Sequence, residues 1–428
     1  MQLLNTGRRY QLRSRRVPII GTILAAFMLA GSLPATAAAT VTRTIPVGSS
    51  PREVAFAPDG SKAYVTNLES GTVSVIDVAS GTVTSTIPVG VSPLDVAVAP
   101  DGSVAYVTSG DSDKVSVIDV GSGTVTTTIA IGAAPIAVAF APDGLTAYVT
   151  SGDGRSGTVS VIDVASGAVT SSIPVGPLPN AVAFAPDGST AYVTNGQDSD
   201  MVSAIDVASG TWTSTIPVGS SPTDVAFTPD GSVAYTANNE GDSMSVIDVA
   251  SRTVTSTIPV GHAPDSVAIA RDGLTAYVTN SGADTVSVID VASNMVTSTI
   301  PVGTHPLGVA VAPDGSAVYV VNTSSNTVSV ITVDAAPLAF TAATPPTKAN
   351  TRAAYNYTFA ATGGPAPTFH VSSGAPPAGL SLDGATGVLS GTPTKAGKFT
   401  FKVTATNGVS PDAVTHLITI TVTKAKVR

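Results

Sequence analysis

The chain has 428 residues, a formal net charge of −9 and an apolar content of 43%. It contains no cysteine, which excludes disulfides, thiol catalysis and cysteine-ligated metals. Only 11% of its residues are charged, against roughly 25% in an ordinary soluble domain, so the composition favours a protein that buries both faces of most of its strands.

Residues 1–39 have the organisation of a secretory signal peptide. Five arginines precede an apolar run over residues 17–33, and small residues follow up to residue 39. A basic region, an apolar core and a small-residue exit are the three parts of such a signal, and an uncleaved anchor is the alternative. We therefore expect a protein that is secreted or held in the periplasm or at the cell surface, with no transmembrane anchor after cleavage.

After the signal, one phrase recurs seven times. The glycine of its PDG or RDG turn recurs every 42 to 44 residues, at Gly60, Gly102, Gly144, Gly188, Gly231, Gly273 and Gly315. Within each period, four short runs alternate apolar residues with Thr and Ser and are bounded by Gly, Pro, Asn or Asp, which is typical of strands. Periods of this size occur in propellers. The sequence therefore predicts an all-β fold, with a seven-bladed β-propeller of four strands per blade over residues 40–334.

The seventh repeat stops before its fourth strand, and the missing strand stands at the other end of the array. Val41–Val47 has the sequence of a fourth strand and precedes the first complete repeat. An open ring would expose unpaired strand edges. We therefore expect this N-terminal strand to complete the last blade and close the ring.

Residues 335–428 predict a second, smaller domain. Strand-like segments such as Tyr355–Ala361, Phe399–Thr406 and His416–Val422 alternate with turns rich in Pro and Gly, as in a small Ig-like β-sandwich. This domain has eight Lys and Arg against two Asp and Glu, whereas residues 40–334 have seven against 27. So acidic a propeller repels phosphate backbones, and we expect no nucleic-acid partner.

Candidate binding residues are the departures from the repeat, because residues present in every repeat are expected to be structural. The loop that leads into the first strand of each blade and the loop between its second and third strands emerge on one face of a propeller. These segments carry many acidic residues, and the predicted ligand-binding residues among them are Glu53, Asp95, Asp224 and Asp265. The sequence thus predicts an acidic binding face.

Two histidines belong to the same candidate site. His262 and His305 occur in the lead-in loops of neighbouring blades. One interpretation is a pair of metal ligands or an acid/base pair near the mouth of the channel, with Asp265 as the orienting carboxylate. The favoured interpretation is two exposed loop histidines, because no third ligand stands at a defined spacing.

Two acidic pairs are weak calcium candidates. Asp111 with Asp113, and Asp198 with Asp200, offer oxygen ligands in the loops between second and third strands. Neither pair continues into the glycine and glutamate of a twelve-residue calcium loop, which favours solvated acids. We expect no metal site and no cofactor, with calcium as the open alternative.

The repeated phrases also carry a family resemblance. AYVTN at Ala63–Asn67 and Ala191–Asn195, followed by SVIDV or a close variant and by TIPVG, resembles the YVTN family of bacterial and archaeal β-propeller repeats over residues 40–334. The resemblance implies an exported or surface-layer protein. Pro376–Gly408 is similar to the Ig-like, cadherin-like modules of bacterial surface proteins, which implies a spacer or adhesive unit. Neither resemblance implies a catalytic site.

These observations lead to one expected function and two alternatives. We expect an exported, non-enzymatic binding or adhesion protein, or a cell-surface scaffold, that uses its acidic propeller face to contact a cell-envelope polymer or a surface protein. The first alternative is a propeller enzyme of the lactonase or lyase type, with a metal or His/Glu site at the channel mouth. The second is a structural surface-layer subunit.

Overall fold

The computed structural model describes residues 40–132, 134–152, 156–196, 199–333, 338–362, 367–384, 386–406 and 412–424. The signal-peptide prediction and Asp198 lie outside these ranges. The described residues form strands, turns and a short 3-10 helix (Gly110–Ser112), and they include no helix that is long and apolar enough to span a membrane.

Seven four-stranded antiparallel sheets form the blades of a β-propeller. After β1 (Thr40–Pro46), blade 1 contains β2 (Pro51–Phe56), β3 (Lys62–Asn67), β4 (Thr72–Asp77) and β5 (Thr82–Pro88). Blade 2 contains β6 (Pro93–Val98), β7 (Val104–Ser109), β8 (Lys114–Asp119) and β9 (Thr124–Ala130); blade 3 contains β10 (Pro135–Phe140), β11 (Thr146–Gly152), β12 (Gly157–Asp163) and β13 (Ala168–Val175). Blade 4 contains β14 (Pro179–Phe184), β15 (Thr190–Asn195), β16 (Met201–Asp206) and β17 (Thr211–Pro217); blade 5 contains β18 (Pro222–Phe227), β19 (Val233–Asn238), β20 (Ser243–Asp248) and β21 (Thr253–Pro259). Blade 6 contains β22 (Pro264–Ile269), β23 (Thr275–Asn280), β24 (Thr285–Asp290) and β25 (Met295–Pro301); blade 7 contains β26 (Pro306–Val311), β27 (Ala317–Asn322) and β28 (Thr327–Thr332).

The N-terminal strand closes the ring, as the sequence predicts. β1 pairs antiparallel with β28, with Ile45 opposite Val328, so the seventh sheet runs in the order β1-β28-β27-β26. The first and last blades also share an apolar cluster in which Ile45 and Ala63 are buried together with Tyr319. Both ends of the repeat array therefore meet in one blade.

The propeller core lies between the blades. Each neighbouring pair of blades shares one apolar cluster, built from the alternating Val, Ile and Ala of facing sheets. At several of these interfaces a Tyr from the second strand packs on a Phe from the first strand of the next blade, as in Tyr106 and Phe140, whose ring centroids are 4.7 Å apart. Such pairs stabilise the stack beyond the area that they bury.

The aspartates that recur in the repeats accept hydrogen bonds within turns. In the PDG turn of blade 1, Asp59 Oδ1 accepts a hydrogen bond from the Ser61 N–H (2.9 Å). In the VID segment, Asp77 Oδ1 accepts one from the Ser80 N–H (2.8 Å). These short local bonds fix tight turns between strands and leave the carboxylates on the surface.

The C-terminal region is an Ig-like arrangement of three sheets. Their strands are β29 (Ala339–Ala342), β30 (Lys348–Asn350), β31 (Tyr355–Thr358), β32 (Ala360–Thr362), β33 (Thr368–Gly374), β34 (Leu380–Leu382), β35 (Val388–Gly391), β36 (Gly397–Thr406), β37 (Ala413–Val414) and β38 (Ile418–Thr423). β30-β38-β36-β33 form one sheet with β37 at its side, β31-β35-β34 a second and β29-β32 a third. The segment predicted as one strand from Tyr355 to Ala361 divides at Phe359, because the chain passes there from the sheet of β35 to the sheet of β29.

Candidate functional site

The first strand of each blade carries a β-bulge. In blade 1, Pro51 lies opposite Asn67 and Val54 opposite Val65, so Arg52 and Glu53 share a single partner residue on β3. A bulge re-aims the side chains that it contains. In every blade the bulge falls directly after the proline that begins the strand.

The threonine and asparagine of the repeated YVTN phrase hold this bulge and its loop. Thr66 Oγ1 accepts a hydrogen bond from the Glu53 N–H (3.0 Å) and donates one to the Leu94 carbonyl of blade 2 (3.0 Å). Asn67 is buried, and its Nδ2 donates to Ser74 Oγ (3.0 Å). The most repeated polar residues are therefore structural, and they anchor the side chains that differ between blades.

A cavity of about 330 Å³ lies at the mouth of the channel, where these bulges converge. The four predicted acids Glu53, Asp95, Asp224 and Asp265 all line it, from blades 1, 2, 5 and 6. They lie inside the first strands and not in the loops to which the sequence assigned them, because the bulge turns strand residues toward the opening. The residues that the sequence reasoning missed, including Arg52, Asn180 and Thr223, share one signal, which is their position immediately after the first-strand proline.

Asp95 and Asp224 link neighbouring blades through hydrogen bonds. Asp95 accepts backbone hydrogen bonds from Val96 of its own blade (2.7 Å) and from Val138 of blade 3 (2.7 Å). Burial nevertheless raises the pKa of Asp95 to about 6, and these two backbone bonds act in the opposite direction. The Asp95 carboxylate therefore bridges two strands. Its ionised form costs free energy because it is buried.

Asp224 repeats this bridge between blades 5 and 6. Its Oδ1 accepts from the Val225 N–H (2.7 Å), and its Oδ2 accepts from the Val267 N–H (2.9 Å) and from Ser266 Oγ (2.7 Å). Burial raises the pKa of Asp224, and the three hydrogen bonds limit the rise. Neither Asp95 nor Asp224 has an oxygen left without a donor.

Glu53 and Asp265 accept fewer hydrogen bonds than Asp95 and Asp224 do. Glu53 Oε1 accepts a hydrogen bond from the Val54 N–H (3.0 Å). The carboxylate lies over Gly308, and a Cβ added at Gly308 would be 2.4 Å from Glu53 Oε1. Burial, followed by the charges of Asp95 and Asp224, raises the pKa of Glu53 well above its usual range.

The Asp265 carboxylate has no hydrogen-bond donor or ion-pair partner among the described residues. Burial raises its pKa to about 6, and the Arg52 guanidinium partly offsets the shift. The charge of Asp224 adds to the rise, while His305 lowers it.

The two histidines are both exposed at the surface of the lead-in loops. His262 Nδ1 lies 3.0 Å from Asp242 Oδ1, so the carboxylate beside this ring is Asp242 and not Asp265. His305 occupies a left-handed backbone conformation (φ 56°), and its backbone N–H donates to Asp284 Oδ1 (2.8 Å). Within the described residues, no three His, Asp or Glu side chains are grouped so as to hold a metal ion.

The described calcium candidates accept hydrogen bonds from lead-in loops. Asp111 accepts a hydrogen bond from Ser92 Oγ, and Asp113 Oδ1 accepts one from the Ala134 N–H (2.8 Å). Asp200 Oδ1 accepts from the Ser221 N–H (2.9 Å). Each of the last two carboxylates thus ties a second-to-third-strand hairpin to the lead-in loop of the following blade.

Together the fold and the cavity define a β-propeller with a channel-mouth pocket, joined to an Ig-like domain. The chain belongs to the YNCE-like beta-propeller family, whose model matches residues 16–252 and 231–317. The He_PIG family model, which describes an Ig domain, matches residues 320–423. This combination suggests a surface or binding protein and fits an extracellular location.

A solved structure is similar to the propeller. A chain of the Kuenenia stuttgartiensis hydrazine synthase superposes with a TM-score of 0.63 at 26% sequence identity, over 66% of this chain and 95% of that one. No curated protein matches the chain.

Proposed function

We propose that the protein is an exported, non-enzymatic binding protein of the cell surface. The acidic mouth of the propeller receives the ligand, and the basic Ig-like domain contacts anionic polymers of the cell envelope. The observation that carries this proposal is the division of charge. Residues 40–334 have 27 acidic and seven basic residues, whereas residues 335–428 have two and eight. Opposite charge on two domains allows each to attract a different partner.

Two basic side chains of the Ig-like domain, Lys348 and Lys398, lie on one sheet face. On the central strand β38, Thr421 lies opposite Lys348 of β30 and Lys398 of β36. Paired residues of adjacent strands point to the same face, so both lysines flank Thr421. All three side chains are exposed. Two exposed lysines on one face suit contact with a polyanion.

The test is sedimentation of the purified full chain with cell envelopes at about 20 mM and about 500 mM salt, conditions that differ severalfold in Debye length. We expect binding at low salt that is lost at high salt. The K348E/K398E variant should bind more weakly, whereas the control K62E/K114E, with the same total charge change on the propeller, should bind as the unmodified chain does. Failure of the unmodified chain to sediment with envelopes at low salt would refute the proposal.

A further inference from the structure

We infer that the channel-mouth cavity binds a protonated primary amine carried on a hydrocarbon chain, with Asp265 as its counter-ion. The inference rests on the proposed binding function and names the chemistry of its ligand. Three features of the cavity support it: the direction of its hydrogen bonds, the lack of a partner for Asp265, and the apolar part of its wall.

The polar wall of the cavity offers mainly hydrogen-bond acceptors, because the Thr223 and Ser266 hydroxyls already donate within the protein. Asn180 Nδ2 donates one of its two hydrogens to the Pro222 carbonyl (2.9 Å), while the side-chain oxygen accepts no hydrogen bond from the described residues. Thr223 Oγ1 donates to the Asp265 backbone carbonyl (2.6 Å), and Ser266 Oγ donates to Asp224 (2.7 Å). A ligand that satisfies this wall must therefore bring donors, as an ammonium group does with its three N–H bonds.

Asp265 is the cavity carboxylate that accepts no hydrogen bond from the described residues, whereas Glu53 accepts one from Val54. Asp95 and Asp224 each accept bonds from the backbone of two blades, whereas the Asp265 side chain lines the cavity and accepts no bond from the described residues. A carboxylate removed from most water and lacking donors is costly, so a donor with positive charge gains more here than at the surface.

The remaining wall is apolar. Leu94 and Ile136 stand next to each other on blades 2 and 3 at the position that Asp265 occupies on blade 6, and Leu307 fills it on blade 7. Small-ligand pockets commonly combine such apolar walls with a few polar groups that fix orientation. A hydrocarbon chain can therefore lie against the leucine and isoleucine side chains while its ammonium group reaches Asp265.

Arg52 gives the site an internal test. It is exposed at the rim of the cavity, and among the described residues it forms no ion pair within 4.0 Å, although its charge favours the ionised form of Asp265. An amine that binds Asp265 is repelled by this guanidinium. At a pH well above the Asp265 pKa of about 6, where the carboxylate is ionised, removing Arg52 should therefore strengthen amine binding, an effect of opposite sign to that of general damage to the fold.

The experiment is a calorimetric titration of the purified full chain with n-butylamine, with butan-1-ol and butyrate as uncharged and anionic probes of similar size. We expect one amine site, about tenfold weaker in D265N and severalfold stronger in R52Q. The control E240Q removes an acidic charge from an exposed hairpin on the same face, outside the cavity lining, and should change affinity less than about twofold. A blocked lysine peptide, compared with butylamine, distinguishes a protein side chain from a free amine as the natural source.

Several results would overturn the inference. Butanol or butyrate binding as well as butylamine would mean that the site is merely apolar, and equal losses in D265N and E240Q would mean unspecific attraction to an acidic surface. Absence of amine binding would refute it directly. If the protein sediments with envelopes but does not bind butylamine, the surface role stands and this inference fails; if it binds butylamine but no envelope material, the reverse holds.

Discussion

Closure of the ring by the N-terminal strand can be tested with a disulfide, because the chain has no cysteine of its own. Thr42 Oγ1 on β1 and Thr332 Oγ1 on β28 are 2.5 Å apart. Sulfur atoms placed at these positions would lie near bonding distance, so T42C/T332C should form a disulfide on mild oxidation. The bond would join the two ends of the repeat array across nearly the whole propeller.

The expected stabilisation follows from the length of the closed loop. Chain-entropy arguments give roughly 5 kcal/mol for loops of this size, an upper limit that strain in the native state reduces, so we expect about 2–3 kcal/mol. The assay is the urea midpoint of the oxidised protein compared with that of the reduced protein, after free thiols have been counted. T42C/T211C is the matched control, since Thr211 lies on the exposed outer strand of blade 4 and should leave two free thiols. Two free thiols in oxidised T42C/T332C would show that β1 does not pair with β28.

Two further predictions concern the cavity carboxylates. D224A should lower the free energy of unfolding by about 2–4 kcal/mol, because the Val225 and Val267 N–H groups lose their acceptor; an unchanged urea midpoint would contradict the bridging role. D265N should raise the free energy of unfolding by about 1–2 kcal/mol near pH 8. Burial raises the pKa of Asp265 in the folded protein to about 6, so its ionised form destabilises the fold at that pH. The folded state holds the extra proton between about pH 4 and pH 6, so this gain should fade as the pH falls through that window. The titratable or charged groups whose effects bear on this window are Arg52, Glu53, Asp95, Asp224 and His305. A D265N gain that is equally large near pH 4 would contradict the assignment.

The sequence predicts the fold well because the repeat encodes it several times over. Each period carries the same alternation and the same turn residues, so an error in one blade is corrected by the others. The isolated strand at Val41–Val47 could be placed because the last blade lacks one strand. The division of the strand at Phe359 was not predictable, because it depends on packing within a single Ig-like domain that has no repeat to compare.

The candidate site was predicted in part. The four acids of the cavity were identified as departures from the repeat, but the β-bulge that turns them into the channel leaves no alternation signal. The hydrogen bond from the Val138 N–H to Asp95 was equally unpredictable, because it depends on contact between blades. His262 illustrates the same limit: its partner Asp242 lies in the hairpin of the preceding blade, 20 residues earlier in the chain.

The central claim is that seven blades gather distant residues into one cavity that receives an organic cation at Asp265. It is tested most directly by calorimetry of n-butylamine binding near pH 6 in two buffers of different ionisation enthalpy. With the pKa of Asp265 at about 6, the carboxyl is partly protonated in the free protein, and amine binding should release up to about half a proton. The measured heat should therefore depend on the buffer in the unmodified protein and much less in D265N. Binding without proton release near pH 6, or equal proton release from D265N, would contradict the account.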